Sequence, residues 1–172
     1  MLDFTAALTI GFSGSRAPSV ASVRALRLAL GAMPPNASVV VGCASGIDAM
    51  VRAACPSARV FRAADYGVRR GALAARSIAC VRAVAAAGGV WVLLPDVACP
   101  MGLRPSPSAA ACFAGYGSGS WASLALALGL GMRCFVFLPP GVWVPTGWPL
   151  VALADGWFAS IPGASQLSLL AR

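Results

Sequence analysis

The sequence has no histidine, no lysine and no glutamate: its 13 basic residues are all arginine and its 5 acidic residues all aspartate. Without imidazole there is no Ser-His-Asp triad, no Cys-His pair and no histidine-bound metal. Without lysine there is no Schiff base and no phosphate-loop lysine. Without glutamate, any acid–base pair must be drawn from Asp3, Asp48, Asp65, Asp96 and Asp155. Charged residues make up 10% of the chain, against about 25% in an average soluble domain. Most enzyme classes are excluded by these absences, and neither a metal nor a cofactor is expected.

Other signals are missing as well. The cysteines at 43, 55, 80, 99, 112 and 134 show no C-x-x-C spacing, so they read as small apolar core residues of a reducing compartment. The start, MLDFTAALTIGF, carries an acidic residue at position 3 and no basic segment, unlike a signal peptide. A cytoplasmic location is expected. The longest apolar window, Trp121 to Leu138, is broken by Arg133, and the stretch that follows holds Pro139, Pro140, Pro145 and Pro149. No membrane span is expected from such a pattern.

What is present is a chain of 172 residues, 59% of them hydrophobic, with a net charge of +8. That length suits one domain over residues 1–172 with a substantial core. So many apolar residues in a domain of this size point to a homo-oligomer. The positive charge suits an anionic partner, but it is spread along the chain, with Arg69 and Arg70 as an adjacent pair that rims a site, contacts a nucleic-acid backbone or is simply solvated.

Strand-like and helix-like segments alternate. Leu8 to Phe12 is a short apolar run ending in Ser13-Gly14-Ser15-Arg16, and Val20 to Leu30 then shows helical spacing at Val23, Leu26 and Leu30. Ser38 to Val41 is β-branched and closes on Gly42, after which Ser45-Gly46-Ile47-Asp48 opens a helix reaching about Cys55. Arg59 to Phe61 is a third strand, and Gly71 to Ala87 a third helix with Leu73, Ile78, Val81 and Val84 on one face. Gly88-Gly89 stops it before the wholly apolar strand Val90 to Leu94. Residues 96–116 read as an irregular insertion or lid. A helix from Trp121 to Leu130 and a strand from Arg133 to Leu138 follow, and residues 141–172 form an extension with Trp143, Trp148 and Trp157, as core or as interface. The alternation predicts an α/β sandwich with a mostly parallel sheet.

Three strand ends run into small-residue turns that open helices: Ser13 to Arg16, Gly42 to Gly46, and Gly117-Ser118-Gly119-Ser120. In a parallel sheet these turns share one edge. Helix N-termini there offer free N–H groups and partial positive charge, so phosphate is the natural guest. Arg76, near the start of the third helix, is placed either to pair with phosphate or to reach solvent. Arg16 has the same two readings. Asp48 is a weak catalytic candidate that could bind a ribose hydroxyl or position water, yet its spacing from Ser45 is also that of a capping box. Tyr116 and Trp121 flank the last turn, as stacking platforms or as core.

The segments G-F-S-G-S-R (11–16), V-V-G-C-A-S-G-I-D-A-M (40–50), A-D-Y-G-V-R-R-G-A-L-A-A-R-S (64–77) and G-S-G-S-W-A-S-L-A-L-A-L-G (117–129) resemble the ordered motifs of the SLOG superfamily. That superfamily includes DprA-like DNA-processing proteins, LOG phosphoribohydrolases and small YspA-like proteins. The resemblance spans about residues 8 to 141. It implies a Rossmann-like three-layer fold that binds a nucleotide or nucleotide-derived ligand without efficient turnover, with single-stranded DNA binding or weak nucleotide hydrolysis as the alternatives. By motif, Gly14, Ser15 and Arg16 belong to the first loop, Ser45, Gly46 and Asp48 to the second, Arg76 to the third, and Ser118, Gly119 and Ser120 to the fourth; Ser13, Gly42 and Gly117 flank them. Ser123 stands where LOG enzymes carry a glutamate, and Arg76-Ser77 where they carry Arg-Lys, which argues against the phosphoribohydrolase reaction.

Overall fold

The wholly apolar run Val90 to Leu94 lies at the centre of a seven-stranded sheet. In this computed structural model, which describes residues 2–4, 7–68 and 71–160, five strands are parallel: β1 (Thr9–Gly14), β2 (Ser38–Gly42), β3 (Arg59–Phe61), β4 (Val90–Leu94) and β5 (Arg133–Phe137). Two short strands, β6 (Leu150–Ala152) and β7 (Trp157–Ser160), extend the sheet, with β7 antiparallel to both β5 and β6. The spatial order is β3-β2-β1-β4-β5-β7-β6. Arg69, Arg70 and residues 161–172 lie outside the described residues.

Helices cover both faces. Leu26 of α1 (Val20–Gly31) and Ile47 and Val51 of α2 (Ile47–Ala54) pack with Ile10, Phe12, Val41 and Val92 on one face. Val81 and Val84 of α3 (Ala72–Ala86) and Leu124 of α5 (Gly119–Gly129) pack with Val40, Trp91 and Val136 on the other. This is a Rossmann-like three-layer sandwich with a mostly parallel sheet, as the alternation of elements predicts. Because β4 is covered on both faces, all five of its residues are buried, which accounts for an apolar run without alternation. Its Trp91 lies over β1 at Gly11, where an added Cβ would come within 2.5 Å of the indole.

Helix faces differ in detail from the predicted stripes. In α1 the buried residues are Ser22, Ala25, Leu26 and Ala29, whereas Val23 and Leu30 are half-buried. The Ser22 hydroxyl donates to Asp96 Oδ1 at 3.0 Å, and Asp96 also accepts the Ser19 N–H at 3.1 Å. A carboxylate from the end of β4 thus holds the start of α1, which favours negative charge. In α3, Leu73 is 44% exposed while Arg76 is buried, so the stripe of Leu73, Ile78, Val81 and Val84 is broken at its first member.

Every residue of α5 from Trp121 to Leu128 is buried. Residues 96–116 are the reason: they are irregular apart from the single turn α4 (Ala109–Cys112), and they pack down on α5 with Leu103 and Cys112 fully enclosed. Ser106 N–H donates to the Ala125 carbonyl at 3.1 Å, and a Cβ on Gly129 would lie 2.0 Å from the Ser106 carbonyl carbon. The extension after β5 adds Trp148, edge-on to Trp121 at 5.6 Å, and Trp157, packed on Phe137 at 5.5 Å. Trp148 and Trp157 are therefore core, whereas Trp143 is 80% exposed. All six cysteines are free thiols; Cys80, Cys112 and Cys134 are buried as expected, but Cys43, Cys55 and Cys99 are only half-buried. Among the described residues, no helix is long and apolar enough to cross a membrane.

Candidate functional site

The strand order reverses direction between β1 and β4, and in an open parallel sheet the crevice outside the carboxyl ends of the strands at such a point is where ligands bind. A cavity of about 610 Å³ occupies it, within the range that holds small ligands. Its polar wall combines Ser13, Gly14, Ser15 and Arg16 after β1 with Gly117, Ser118, Gly119 and Ser120 at the start of α5. Arg76 and Asp48 also reach it.

Arg76 and Asp48 form a buried ion pair, with Arg76 Nη1 donating to Asp48 Oδ2 at 3.1 Å. The same Oδ2 accepts the Ala44 N–H at 3.3 Å. Burial pushes the Asp48 carboxyl above its ordinary range, even though the Arg76 charge, the Ala44 N–H and, more distantly, Arg52 favour its ionised form. Two polar atoms of cavity-lining residues, Arg76 Nε and Ser13 Oγ, are buried without a hydrogen-bond partner among the described residues. Buried polar groups are normally hydrogen-bonded, which sets these two apart from the rest of the lining.

The capping box predicted at Ser45 does not form. Helix α2 begins one residue later, with Gly46 at its cap in a left-handed conformation (φ 68°) and no side-chain capping bond. A Cβ there would lie 2.2 Å from the Ser15 carbonyl, and the Ile47 N–H donates to that carbonyl at 2.9 Å. The first two loops are thereby zipped together. This occupies Asp48 with Arg76 and Ala44 instead, and Ser45 Oγ reaches only the Arg16 carbonyl, at 3.5 Å.

Gly42, Ser45 and Gly46 therefore do not line the cavity. Gly42 makes room for it: an added Cβ would sit 1.5 Å from Arg76 Nη1, while its carbonyl accepts from Arg52 Nη1 at 2.7 Å. The first loop also differs from a free N–H cradle, because the Ser15 N–H is spent on the Leu94 carbonyl at 2.9 Å. Its open groups are the exposed Arg16 side chain and Ser13 Oγ. At the fourth loop Ser118 caps α5 by accepting the Trp121 N–H at 3.4 Å. The Gly119 and Ser120 N–H groups, in the first turn, have no intrahelical acceptor.

Further residues, of which the sequence singled out Tyr116 and Ser123 but not Val97, Cys112 or Phe113, complete the walls. Leu73, Val97, Phe113 and Tyr116 supply an apolar side, and Cys112 and Ser123 form part of the lining. The Ser123 hydroxyl is turned back to the Gly119 carbonyl at 2.8 Å, so it is not a free nucleophile. Trp121 is fully buried, its indole N–H donating to the Val97 carbonyl at 2.9 Å, and it is unavailable to a ligand. Among the described residues no group of three or more histidine, cysteine or acidic side chains is placed to hold a metal.

The parallel sheet, the helices on both faces and the cleft at the strand edge define a Rossmann-like α/β protein with a ligand site at its topological switch point. Among solved structures, the chain resembles DNA processing protein A from Helicobacter pylori, in a study of that protein's single-stranded DNA binding mode, with a TM-score of 0.53 and 17% identity. The match covers 77% of this chain and 65% of that one, so this chain spans about two thirds of that protein's length. The likeness is one of fold. No protein-family model matches the sequence, and no curated protein matches it.

Proposed function

We propose that the cleft is a nucleotide-phosphate site that binds without efficient turnover. The observation that carries this is the convergence, in one cavity, of Arg16, the unpartnered Ser13 Oγ and Arg76 Nε, and the first turn of α5. Backbone N–H groups and a guanidinium together form a phosphate cradle. Turnover is disfavoured because Asp48, the lone carboxylate lining the cavity, is already committed to Arg76, and the chain has no histidine, lysine or glutamate to act in its place.

The nucleotide is either a unit of single-stranded DNA or a free nucleotide-derived molecule. The likeness in fold to a protein studied for single-stranded DNA binding and the net charge of +8 favour the strand. The motif resemblance to the SLOG superfamily is compatible with both. Fluorescence anisotropy of a labelled oligo(dT), titrated at several salt concentrations, distinguishes them. Strand binding gives a log–log salt slope of about −0.7 for each phosphate neutralised, and Arg16→Ala weakens it without loss of fold. Tight mononucleotide binding with negligible oligonucleotide binding would establish the second form, and binding of neither would refute the site.

A further inference from the structure

Two aromatic rings flank the fourth loop in sequence, and the fold treats them oppositely. Trp121 is enclosed, with its N–H satisfied by the Val97 carbonyl. Tyr116 lines the cavity and is 37% exposed. It sits between Gly115 (φ 90°) and Gly117 (φ 86°), both with positive φ and both lining the cavity. Its hydroxyl has no hydrogen-bond partner among the described residues, and the ring edge lies near Gly102, where an added Cβ would be 3.6 Å from Tyr116 Cε1.

The cavity also has a polarity along its depth. Its floor is buried and polar, built on Arg76, Asp48 and Ser123, which are 8%, 4% and 3% exposed. Its mouth carries apolar side chains open to water: Leu73 at 44% and Val97 at 61%, together with Tyr116. Apolar groups that line a polar pocket and stand open to water offer a ligand a surface to cover. A ligand matching both parts has a phosphate linked to a flat, weakly polar body, which is the make-up of a nucleotide.

We propose that Tyr116 is the platform on which one unpaired nucleobase stacks, with Leu73 and Val97 closing around its edges, while the adjoining phosphate occupies the polar wall. This rests on the nucleotide-phosphate reading of the cleft and adds the recognition of the base to it. Stacking of this kind discriminates poorly among bases, because each has a π face. The site therefore requires a base without requiring a particular one.

The test compares binding of a fluorescein-labelled dT decamer with that of an abasic deoxyribose-phosphate decamer of equal length, in the intact chain and in Tyr116→Ala and Tyr116→Phe. The expected result is that the base-bearing strand binds about tenfold more tightly than the abasic one. Tyr116→Ala removes that preference and leaves abasic binding unchanged, and Tyr116→Phe keeps it. Competition by dTMP and AMP tells whether a free nucleotide occupies the same platform. Equal affinity for the two decamers overturns the stacking proposal while leaving the phosphate reading intact, as does a Tyr116→Ala chain that still prefers the base. Failure to bind either decamer or either nucleotide overturns both. Thermal unfolding of the variants should match that of the parent, since the side chain is partly exposed and unbonded.

Discussion

The Arg76 guanidinium stands 3.1 Å from the Asp48 carboxylate, with both side chains almost wholly withdrawn from water at the floor of the cleft. Each neutralises the other through Arg76 Nη1, and the cavity keeps the unpartnered Arg76 Nε as a directional donor without a buried net charge. Removing one partner is therefore worse than removing both. Asp48→Ala should cost about 3–5 kcal/mol in stability by stranding a buried cation. The double variant Asp48→Ala with Arg76→Met should recover a substantial part of that loss. Urea denaturation of the two single variants and the double variant gives the coupling directly, and simple additivity would show that the two side chains do not depend on each other.

Gly42 is required by the same pair. A Cβ at this position would lie 1.5 Å from Arg76 Nη1 and 2.5 Å from Asp48 Oδ2. The guanidinium is the far end of a flexible side chain and can swing aside, so Gly42→Ala should break the ion pair without unfolding the chain, at about 1–3 kcal/mol. Gly71→Ala meets nothing within 4 Å and serves as the control. Equal melting temperatures for the two variants would contradict the packing described.

Thiols wholly or partly withdrawn from water should make the fold sensitive to alkali. Burial pushes Cys80 from an ordinary value of 9.0 up to about 12, only partly offset by the Arg76 charge, and pushes Cys99 to about 11. Between pH 9 and these values the unfolded chain has released the proton and the folded chain has not. The native state then binds more protons, so stability falls as pH rises through that window, at a limiting slope of about 1.4 kcal/mol per pH unit per thiol. Denaturant midpoints measured from pH 8 upward should decline, and Cys80→Ala should flatten the decline above pH 9. An unchanged slope in that variant would assign the effect to other groups.

Residues 96–116 cover α5 through contact with the backbone at Gly129. Gly129→Ala places a Cβ 2.0 Å from the Ser106 carbonyl carbon and 2.5 Å from Pro107 N, and neither backbone group can rotate away. The segment should lift, breaking the bond from Ser106 N–H to the Ala125 carbonyl. Limited proteolysis should then cut between residues 96 and 108 faster than in the parent. Unchanged cleavage there would mean that the segment is not held by α5.

Much of the architecture is legible in local sequence. The runs 8–12, 38–41, 59–61, 90–94 and 133–138 match β1 to β5 to within two residues at each end, because apolar runs are short-range signals. Of the three small-residue turns, Ser13 to Arg16 and Gly42 to Gly46 fall at strand ends, whereas Gly117 to Ser120 follows α4 and no strand. The helix faces were harder to read. The inward faces of α1 and α3 carry Ser22 and Arg76, which look like surface residues until their partners Asp96 and Asp48, far away in sequence, are in place. Of the loop residues marked by motif, Ser13 to Arg16 and Gly117 to Ser120 reach the cavity, while Gly42, Ser45 and Gly46 do not. Turn composition alone cannot tell a glycine that faces a ligand from one that makes room for a neighbouring loop. The apolar helix 121–128 has no periodic stripe to orient it, since 96–116 and Trp148 enclose the side turned away from the sheet.

By itself the sequence determined that this is an alternating α/β chain with small-residue turns at one sheet edge. It also determined that the chain lacks the usual acid–base side chains, which follows from composition and local periodicity and needs no coordinates. Tertiary structure alone decided that Arg76 pairs with Asp48, that Trp121 is sealed while Tyr116 opens onto the cleft, and that Gly46 zips two loops together. Those outcomes depend on contacts between segments tens of residues apart, whose geometry is set by how the helices seat on the sheet and is not encoded in any single stretch of chain.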